Sequence, residues 1–388
     1  MGPEGAPKHE APRPRTPGAR RAYIDGQVAT TRSGALSRRS RGCCCTRILD
    51  TMMNDLMHST TAAKSADRPA TPAGASRPVV GRFAPSPSGR MHLGNAFSSL
   101  VSWLSARSQQ GSIVMRIEDL DPRTQSGPWT QLVLDDLAWL GLYWDEGPFY
   151  QRERTDLYRT ALETLQREAE VYPCFCTRAE LHAASAPHAS DGTPLYAGTC
   201  RDLPADEVRA RSLARPPALR LRVPGATEAR GSYSFVDEGF GPVRETLAEE
   251  CGDFLVRRSD GVYAYQLAVV VDDGDMGVTE VVRGCDLLGS TARQMYLQDL
   301  LGYEHPRYGH VPLIVAEDGR RLSKRDRDLD MGELRARFGT PERLLGWLAH
   351  ACGLAPDDAP RSAEQLADIF DWSLVRGRTA ICPPAPPR

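Results

Sequence analysis

The chain has 388 residues, of which 41% are hydrophobic and 25% charged, with a formal net charge of −2. That is the composition of an ordinary globular protein long enough for two or three domains, and it carries no global basic field to advertise a nucleic-acid partner. No apolar run approaches the roughly 18 residues of a membrane span, so the expectation is a cytoplasmic protein without a membrane partner. Its ten cysteines are too few for a disulfide scaffold in a chain this long, so metal binding is considered before disulfides.

Residues 1–79 are rich in Pro, Arg, Ser, Thr and Ala, show no sustained periodicity, and hold 13 Lys and Arg against 6 Asp and Glu. This segment reads as a disordered basic tail, or as the product of a misassigned start. Cys43, Cys44 and Cys45 lie in it, but adjacent cysteines do not easily wrap one tetrahedral metal. Without an apolar h-region the tail does not read as a secretory signal.

At Val80 the pattern changes. A short strand ends in Arg82 and Phe83, and the chain then passes through Ala84-Pro85-Ser86-Pro87-Ser88-Gly89-Arg90-Met91 into His92-Leu93-Gly94-Asn95. An apolar helix follows, over Ala96 to Ala106. Strand, tight loop and helix start together make an anion-binding device, because the free N–H groups and positive dipole end of the helix face the loop. Gly89 and Gly94 let backbone approach a ligand that a Cβ would block. His92 stands where it can donate to phosphate oxygens. Further on, Ser112 to Ile117 reads as a strand, and Gln131 to Leu140 and Asp156 to Ala169 as amphipathic helices.

The character changes again over 173–250, where cysteines, Pro pairs and short strands (Ala218 to Val223, Ser232 to Val236) suggest an inserted subdomain. Cys174, Cys176 and Cys200 have metal-ligand spacing but make an incomplete zinc set. Tyr196, His182, His188 or water could complete it, and three buried thiols are the alternative. Cys251, Cys285 and Cys352 read as core cysteines. Apolar strand and helix runs resume at Val262 to Val271 and Thr279 to Arg283, and Leu287 to Leu301 reads as one helix. Asp272 and Asp273, ahead of Gly274, suggest a strand-end turn with a structural or ribose-contacting role in preference to a metal-binding carboxylate pair. Alternating β and α elements imply a doubly wound, mainly parallel Rossmann-type sheet, with ligands bound outside the strands' carboxyl ends.

A turn at Glu317-Asp318-Gly319-Arg320 precedes Arg321-Leu322-Ser323-Lys324-Arg325. Alone, a lysine on such a loop is ordinary solvated surface. Three short helices are expected after it, near Met331 to Phe338, Pro341 to Cys352 and Ala363 to Ile369, ahead of a frayed end at Cys382 to Arg388.

Taken together, His92-Leu93-Gly94-Asn95 and Leu322-Ser323-Lys324-Arg325 resemble the paired ATP motifs of class I aminoacyl-tRNA synthetases. Arg82 to Gly89 narrows the resemblance to the glutamyl branch. The likeness extends from about Val80 to about Asp330. Within that branch the chain is most similar to the glutamyl-queuosine tRNA(Asp) synthetases, shortened paralogues of glutamyl-tRNA synthetase. Selecting features are Cys-x-Cys with Tyr-x-x-x-Cys, the Tyr265-to-Asp273 run, Val281-Val282-Arg283-Gly284, and only 64 residues after Lys324.

The resemblance implies ATP, Mg²⁺, L-glutamate and queuosine-containing tRNA(Asp) as substrates or partners. It assigns ATP to Pro85, Ser88, Gly89, His92, Gly94, Asn95, Ser323 and Lys324, with His92, Asn95 and Lys324 catalytic. Glutamate falls to Arg82, Phe83, Ala84, Pro85, Ser86, Glu118, Tyr265 and Arg283. One structural Zn²⁺ falls to Cys174, Cys176, Tyr196 and Cys200. The expected organisation is a tail (1–79), a first catalytic half (80–172), the zinc-binding insert (173–250), a second catalytic half (251–318), and the lysine loop with a short helical segment (319–388), in a monomer. Departures are the missing second serine or lysine after Lys324 and the foreign basic tail. A short glutamyl-tRNA synthetase and an inactive RNA-binding paralogue are the competing readings.

Overall fold

The computed structural model describes residues 78–125, 127–183, 195–317, 319–320 and 329–386. The tail cysteines, His188, Ser323, Lys324 and the last two residues lie outside them.

Strand β1 (Val80–Phe83) leads into helix α1 (Leu93–Ser108), then β2 (Ser112–Ile117), α2 (Trp129–Trp139), β3 (Glu146–Tyr150) and α3 (Thr155–Glu168). Leu93, Ala96, Phe97, Leu100, Val101 and Leu104 repeat at helical spacing, and all are buried against the sheet. β1, β2 and β3 are parallel, from Val80 opposite Ser112 to Phe83 opposite Met115. Gly111 admits the close return of the chain, since a Cβ there would lie 2.6 Å from the Val79 carbonyl oxygen.

Next come β4 (Val171–Cys174), α4 (Arg178–Ala183), α5 (Ala205–Ala214), β5 (Ala218–Leu221), β6 (Ser232–Asp237), β7 (Gly241–Thr246), α6 (Leu247–Glu250) and β8 (Phe254–Arg257). β4, β5 and β8 form a small antiparallel sheet that straddles both edges of the 173–250 segment.

The chain then runs through α7 (Tyr265–Asp275), β9 (Glu280–Gly284), a 3₁₀ turn (Cys285–Ser290), α8 (Thr291–Leu301), β10 (Arg307–Val311) and β11 (Leu313–Ile314). It closes with α9 (Met331–Phe338), α10 (Pro341–Cys352), α11 (Ala363–Ala367) and β12 (Ala380–Ile381).

β9 and β10 pair in parallel, and β10 meets the β6–β7 hairpin at Tyr308 opposite Asp237. The two sheets abut along β1 and β9. Thr279 donates its N–H to the Val80 carbonyl, Val80 donates its own to Thr279 Oγ1, and Arg82 Nη1 donates to the Val282 carbonyl. From this seam the chain order runs outward both ways, to β2 and β3 on one side and to β10 on the other. That makes the β1/β9 seam the topological switch point, where open α/β sheets bind ligands.

Two sequence expectations need correction. Asp272 and Asp273 do not sit in a strand-end turn. The Val269-Val270-Val271 run is fully buried helix, which outweighs β-branched propensity, and the turn comes later, at Gly277 with φ +67°. Leu287 to Leu301 is not one helix. Gly289 and Ser290, poor helix formers, end a 3₁₀ segment before α8 starts.

Candidate active site

The β1–α1 loop, the end of β2, the start of α7 and the end of β9 converge on a cavity of about 480 Å³. Arg82, Phe83, Ala84, Pro85, Ser86, Ser88, Gly89, Asn95, Glu118, Tyr265 and Arg283 all line it. These sites are scattered over 200 residues of sequence, and the switch point is what brings them together. His92 and Gly94 stand just behind, at the head of α1. His92 is the helix N-cap: its Nδ1 accepts from the Gly94 N–H at 3.1 Å, while Asn95 Oδ1 accepts from the His92 N–H. Because Nδ1 accepts, the ring proton resides on Nε2. A Cβ on Gly94 would lie 3.0 Å from the imidazole, so glycine is what lets this ring fold over the helix start.

Charges in the site divide into two groups. Arg116 is fully buried and lies among carboxylates: Nη1 donates to Asp273 at 2.6 Å, Nη2 to Glu118 at 3.2 Å, and Nε is 3.6 Å from Asp272. Against the cost of burial, these three acids hold its guanidinium firmly charged. Asp272 also accepts from Gln151, Arg154 and the Tyr158 hydroxyl. Burial pushes the Glu118 carboxyl up while Arg116 pulls it down. The Val-Val-Asp-Asp run is therefore structural: it anchors α7 beneath the cavity.

The other group is cationic. Arg82, 5% exposed, spends Nη1 on the Val282 carbonyl. Its Nε is buried without a hydrogen-bond partner, and the nearest carboxylate oxygen, on Asp273, is 3.8 Å away. Burial depresses its pKa. Arg283, also 5% exposed, gives four of its five N–H donors to neutral acceptors: Nε to His310 Nε2 (3.0 Å), Nη1 to Gln294 Oε1 (2.7 Å), Nη2 to Thr291 Oγ1 (3.0 Å) and the Leu287 carbonyl (3.2 Å). Among the described residues it makes no ion pair. Two buried cations thus face one cavity with little carboxylate to neutralise them. Such a site attracts an anion of fork-matching shape.

Sequence reasoning missed Arg116 as the hub and the layer behind Arg283. Arg116 was legible in Arg116-Ile117-Glu118-Asp119; His310 and Asp237 carried no local signal. Both are fully buried, with His310 Nδ1 2.6 Å from Asp237 Oδ2. Burial, and then the facing Arg283, push the His310 pKa down to about 4 despite Asp237. Below about pH 6.5 the unfolded chain therefore takes up a proton that the folded chain refuses, so stability falls as pH drops from 6.5 toward 4. Between pH 7 and 5 the expected loss from this residue is up to about 2 kcal/mol. Urea midpoints at the two pH values measure it, and His310→Gln should flatten the difference. An equally steep dependence in that variant would refute the assignment.

A second cluster lies in the small antiparallel sheet. The sulfurs of Cys174, Cys176 and Cys200 lie within 4.8 Å of one another. Cys176 and Cys200 Sγ are 3.6 Å apart, and the Tyr196 hydroxyl lies 3.6 Å from both Cys174 and Cys176. The Tyr196 hydroxyl also accepts the Cys200 N–H at 2.8 Å, which holds it beside the three sulfurs. Arg220 Nε donates to Cys174 Sγ at 3.3 Å, and its guanidinium stacks 3.8 Å from the Tyr196 ring centre. Burial raises the Cys174 thiol pKa, but Arg220, the Cys176 backbone N–H and the Tyr196 hydroxyl together outweigh it and the net shift is downward.

A family model for the catalytic domain of class I tRNA synthetases (E and Q) matches residues 78–352. The chain belongs to this family. The glutamyl-Q tRNA(Asp) synthetase of Nitratidesulfovibrio vulgaris is 43% identical over 316 residues, 79% of this chain and 96% of its own length. That of Symbiobacterium thermophilum is 47% identical over 310 residues, 76% and 94%. Glutamate–tRNA ligase 2 of Halorhodospira halophila is 41% identical over 76% of this chain but only 61% of its own. Among solved structures, a glutamate tRNA ligase from Elizabethkingia meningosepticum in complex with its amino acid superposes with a TM-score of 0.66 at 25% identity, covering 79% of this chain and 68% of that one. The glutamyl-branch resemblance read from Arg82 to Asn95 is thereby established, and with it a class I ligase fold on a mainly parallel sheet. No described helix is long and apolar enough to cross a membrane.

Proposed function

We propose that this enzyme activates L-glutamate with ATP, without needing tRNA, and transfers it to the queuosine base at the wobble position of tRNA(Asp). The observation that carries the reading is the pair of buried arginines, Arg82 and Arg283, facing one cavity in which, among the described residues, Arg283 has no carboxylate partner and Arg82 only Asp273, at 3.8 Å. A dicarboxylic amino acid supplies what they lack. Arg283 and Arg82 take carboxylate oxygens, Glu118 takes the α-ammonium group, and Tyr265 and Ser86 add hydroxyls. The choice of acceptor rests on the relatives named glutamyl-Q tRNA(Asp) synthetase, which this chain matches over nearly their whole length.

In this reading ATP, with its Mg²⁺, lies against the α1 start. Pro85, Ser88, Gly89 and Gly94 shape its bed, and His92, Asn95, Ser323 and Lys324 meet the phosphates. The α-carboxylate oxygen attacks the α-phosphorus, the bond to the bridging oxygen breaks, and pyrophosphate leaves. Charge builds on phosphate oxygens, so the protein's contribution is positioning and fixed positive electrostatics, with no protein nucleophile. A queuosine hydroxyl then attacks the acyl carbon, and AMP leaves.

Cys174, Cys176, Tyr196 and Cys200 fit a structural zinc ion. A tetrahedron with Zn–S of about 2.3 Å has edges near 3.8 Å, close to the observed spacings. The ion would lock the β4–β5–β8 sheet to the loop bearing Tyr196. A monomeric cytoplasmic enzyme completes the proposal.

The test is labelled glutamate with ATP and queuosine-containing tRNA(Asp), followed by nuclease mapping. Label should appear in the anticodon loop as an alkali-labile ester, and prior periodate opening of the cyclopentene-diol should abolish it. Label on the 3′-terminal adenosine of tRNA(Glu) would instead make this a short glutamate–tRNA ligase.

A further inference from the structure

Arg283 is held by a fully buried layer that the proposed chemistry never touches. Asp237 ends β6, and one of its oxygens, Oδ1, accepts three backbone N–H groups: Gly239 at 2.9 Å, Phe240 at 3.0 Å and His310 at 3.1 Å. Its other oxygen, Oδ2, lies 2.6 Å from His310 Nδ1. An ionised carboxylate only accepts, so the imidazole proton must reside on Nδ1. Nε2 then carries a lone pair, and that lone pair receives the Arg283 Nε–H at 3.0 Å. The single pairing of β6 with β10, at Tyr308 opposite Asp237, is what brings carboxylate and imidazole together.

We infer that Asp237, acting through the tautomer it imposes on His310, is a positioning residue for amino-acid recognition: it aims the Arg283 guanidinium into the cavity without neutralising it. The inference rests on the glutamate reading above. A direct Asp–Arg contact would hold Arg283 as well, but it would also give the guanidinium a resident anion and compete with the ligand. Placing a neutral imidazole between them transmits the orientation and leaves the charge to the substrate. Gln294, Thr291 and the Leu287 carbonyl follow the same rule, since all are neutral acceptors. Burial disfavours a protonated His310, which keeps the intermediary uncharged at physiological pH.

The experiment is Asp237→Asn. Its amide oxygen can keep the three backbone donors, while its NH₂ replaces Oδ2. His310 Nδ1 must then accept, the ring proton moves to Nε2, and two donors oppose each other at Arg283. In glutamate-dependent pyrophosphate exchange, the KM for glutamate should rise at least about tenfold, with the KM for ATP and kcat changing less than about threefold. Nitrogen NMR of the intact protein should show His310 protonated on Nδ1 in the wild type and on Nε2 in the variant. The double variant Asp237→Asn with His310→Gln restores an acceptor for Arg283 and should recover most of the lost affinity, which a merely structural role for Asp237 would not.

A wild-type His310 protonated on Nε2, a switched tautomer with unchanged glutamate KM, or parallel rises for glutamate and ATP would each overturn the inference. Exchange that is independent of glutamate in the wild type would overturn the functional reading as well.

Discussion

Replacing Arg283 with Ala should raise the KM for glutamate by roughly 100-fold or more, because truncating one partner of a buried charge pair costs about 2–5 kcal/mol. The KM for ATP should stay within about threefold, since the nucleotide is proposed to lie against the α1 start. Arg283→Lys should recover little. An ammonium cannot reach four acceptors fixed in the plane of a guanidinium. Pyrophosphate exchange at varied glutamate and ATP separates the two constants, and equal losses for both ligands would place Arg283 outside the amino-acid site. Folding must be checked alongside, because the truncation leaves His310, Gln294 and Thr291 without their donor.

The second large effect belongs to the cysteine cluster. Protein purified under reducing, chelator-free conditions should carry one zinc per chain, and Cys200→Ser should lose it. Structural zinc contributes folding energy outright, so the variant should lose several kcal/mol of local stability. Damage should concentrate in the β4–β5–β8 sheet, with new protease cleavage between 174 and 257 and a largely intact β1–β3 sheet. Metal analysis showing no zinc would leave Tyr196 as the partner of a plain thiol cluster. Arg220→Ala tests the surroundings of the same cluster: loss of the guanidinium beside Cys174 removes one of the groups that draw its thiol pKa down, so the thiol should titrate higher than in the wild type.

Much of this was legible in the sequence for a physical reason. Loop-and-helix phosphate devices are local, so Arg82 to Asn95 can be read as one string, and α9 and α10 were bounded by Met331, Phe338, Pro341 and Cys352 as expected. Apolar periodicity likewise gave α1 and α3 to within a turn at each end. Glu118, Tyr265 and Arg283 followed because the glutamyl-type motifs that carry them are short and contiguous. What stayed hidden is what depends on distant pairing. Asp237 and His310 meet across 73 residues, and Arg116 and Asp273 across 157. Nothing in either local string announces the other. The β-branched Val269-Val270-Val271 run was misleading for the same reason, since burial on both sides of α7, decided by distant neighbours, overrode the residues' own preference.

The β1/β9 seam also dictates an order of events. It joins Val80 to Thr279 across 199 positions. At ordinary synthesis rates of about 5–20 residues per second, β1 waits about 10–40 s for its neighbour to emerge. Through that interval one edge of β1 offers unpaired backbone groups to any passing strand. Contacts this distant in sequence also form slowly, because loop closure precedes any gain from the contact. Arg82 and Arg283 cannot face a common cavity until the seam has closed, so the enzyme's substrate site is born at a late and highly non-local step of assembly, long after its helix-start motif has left the ribosome.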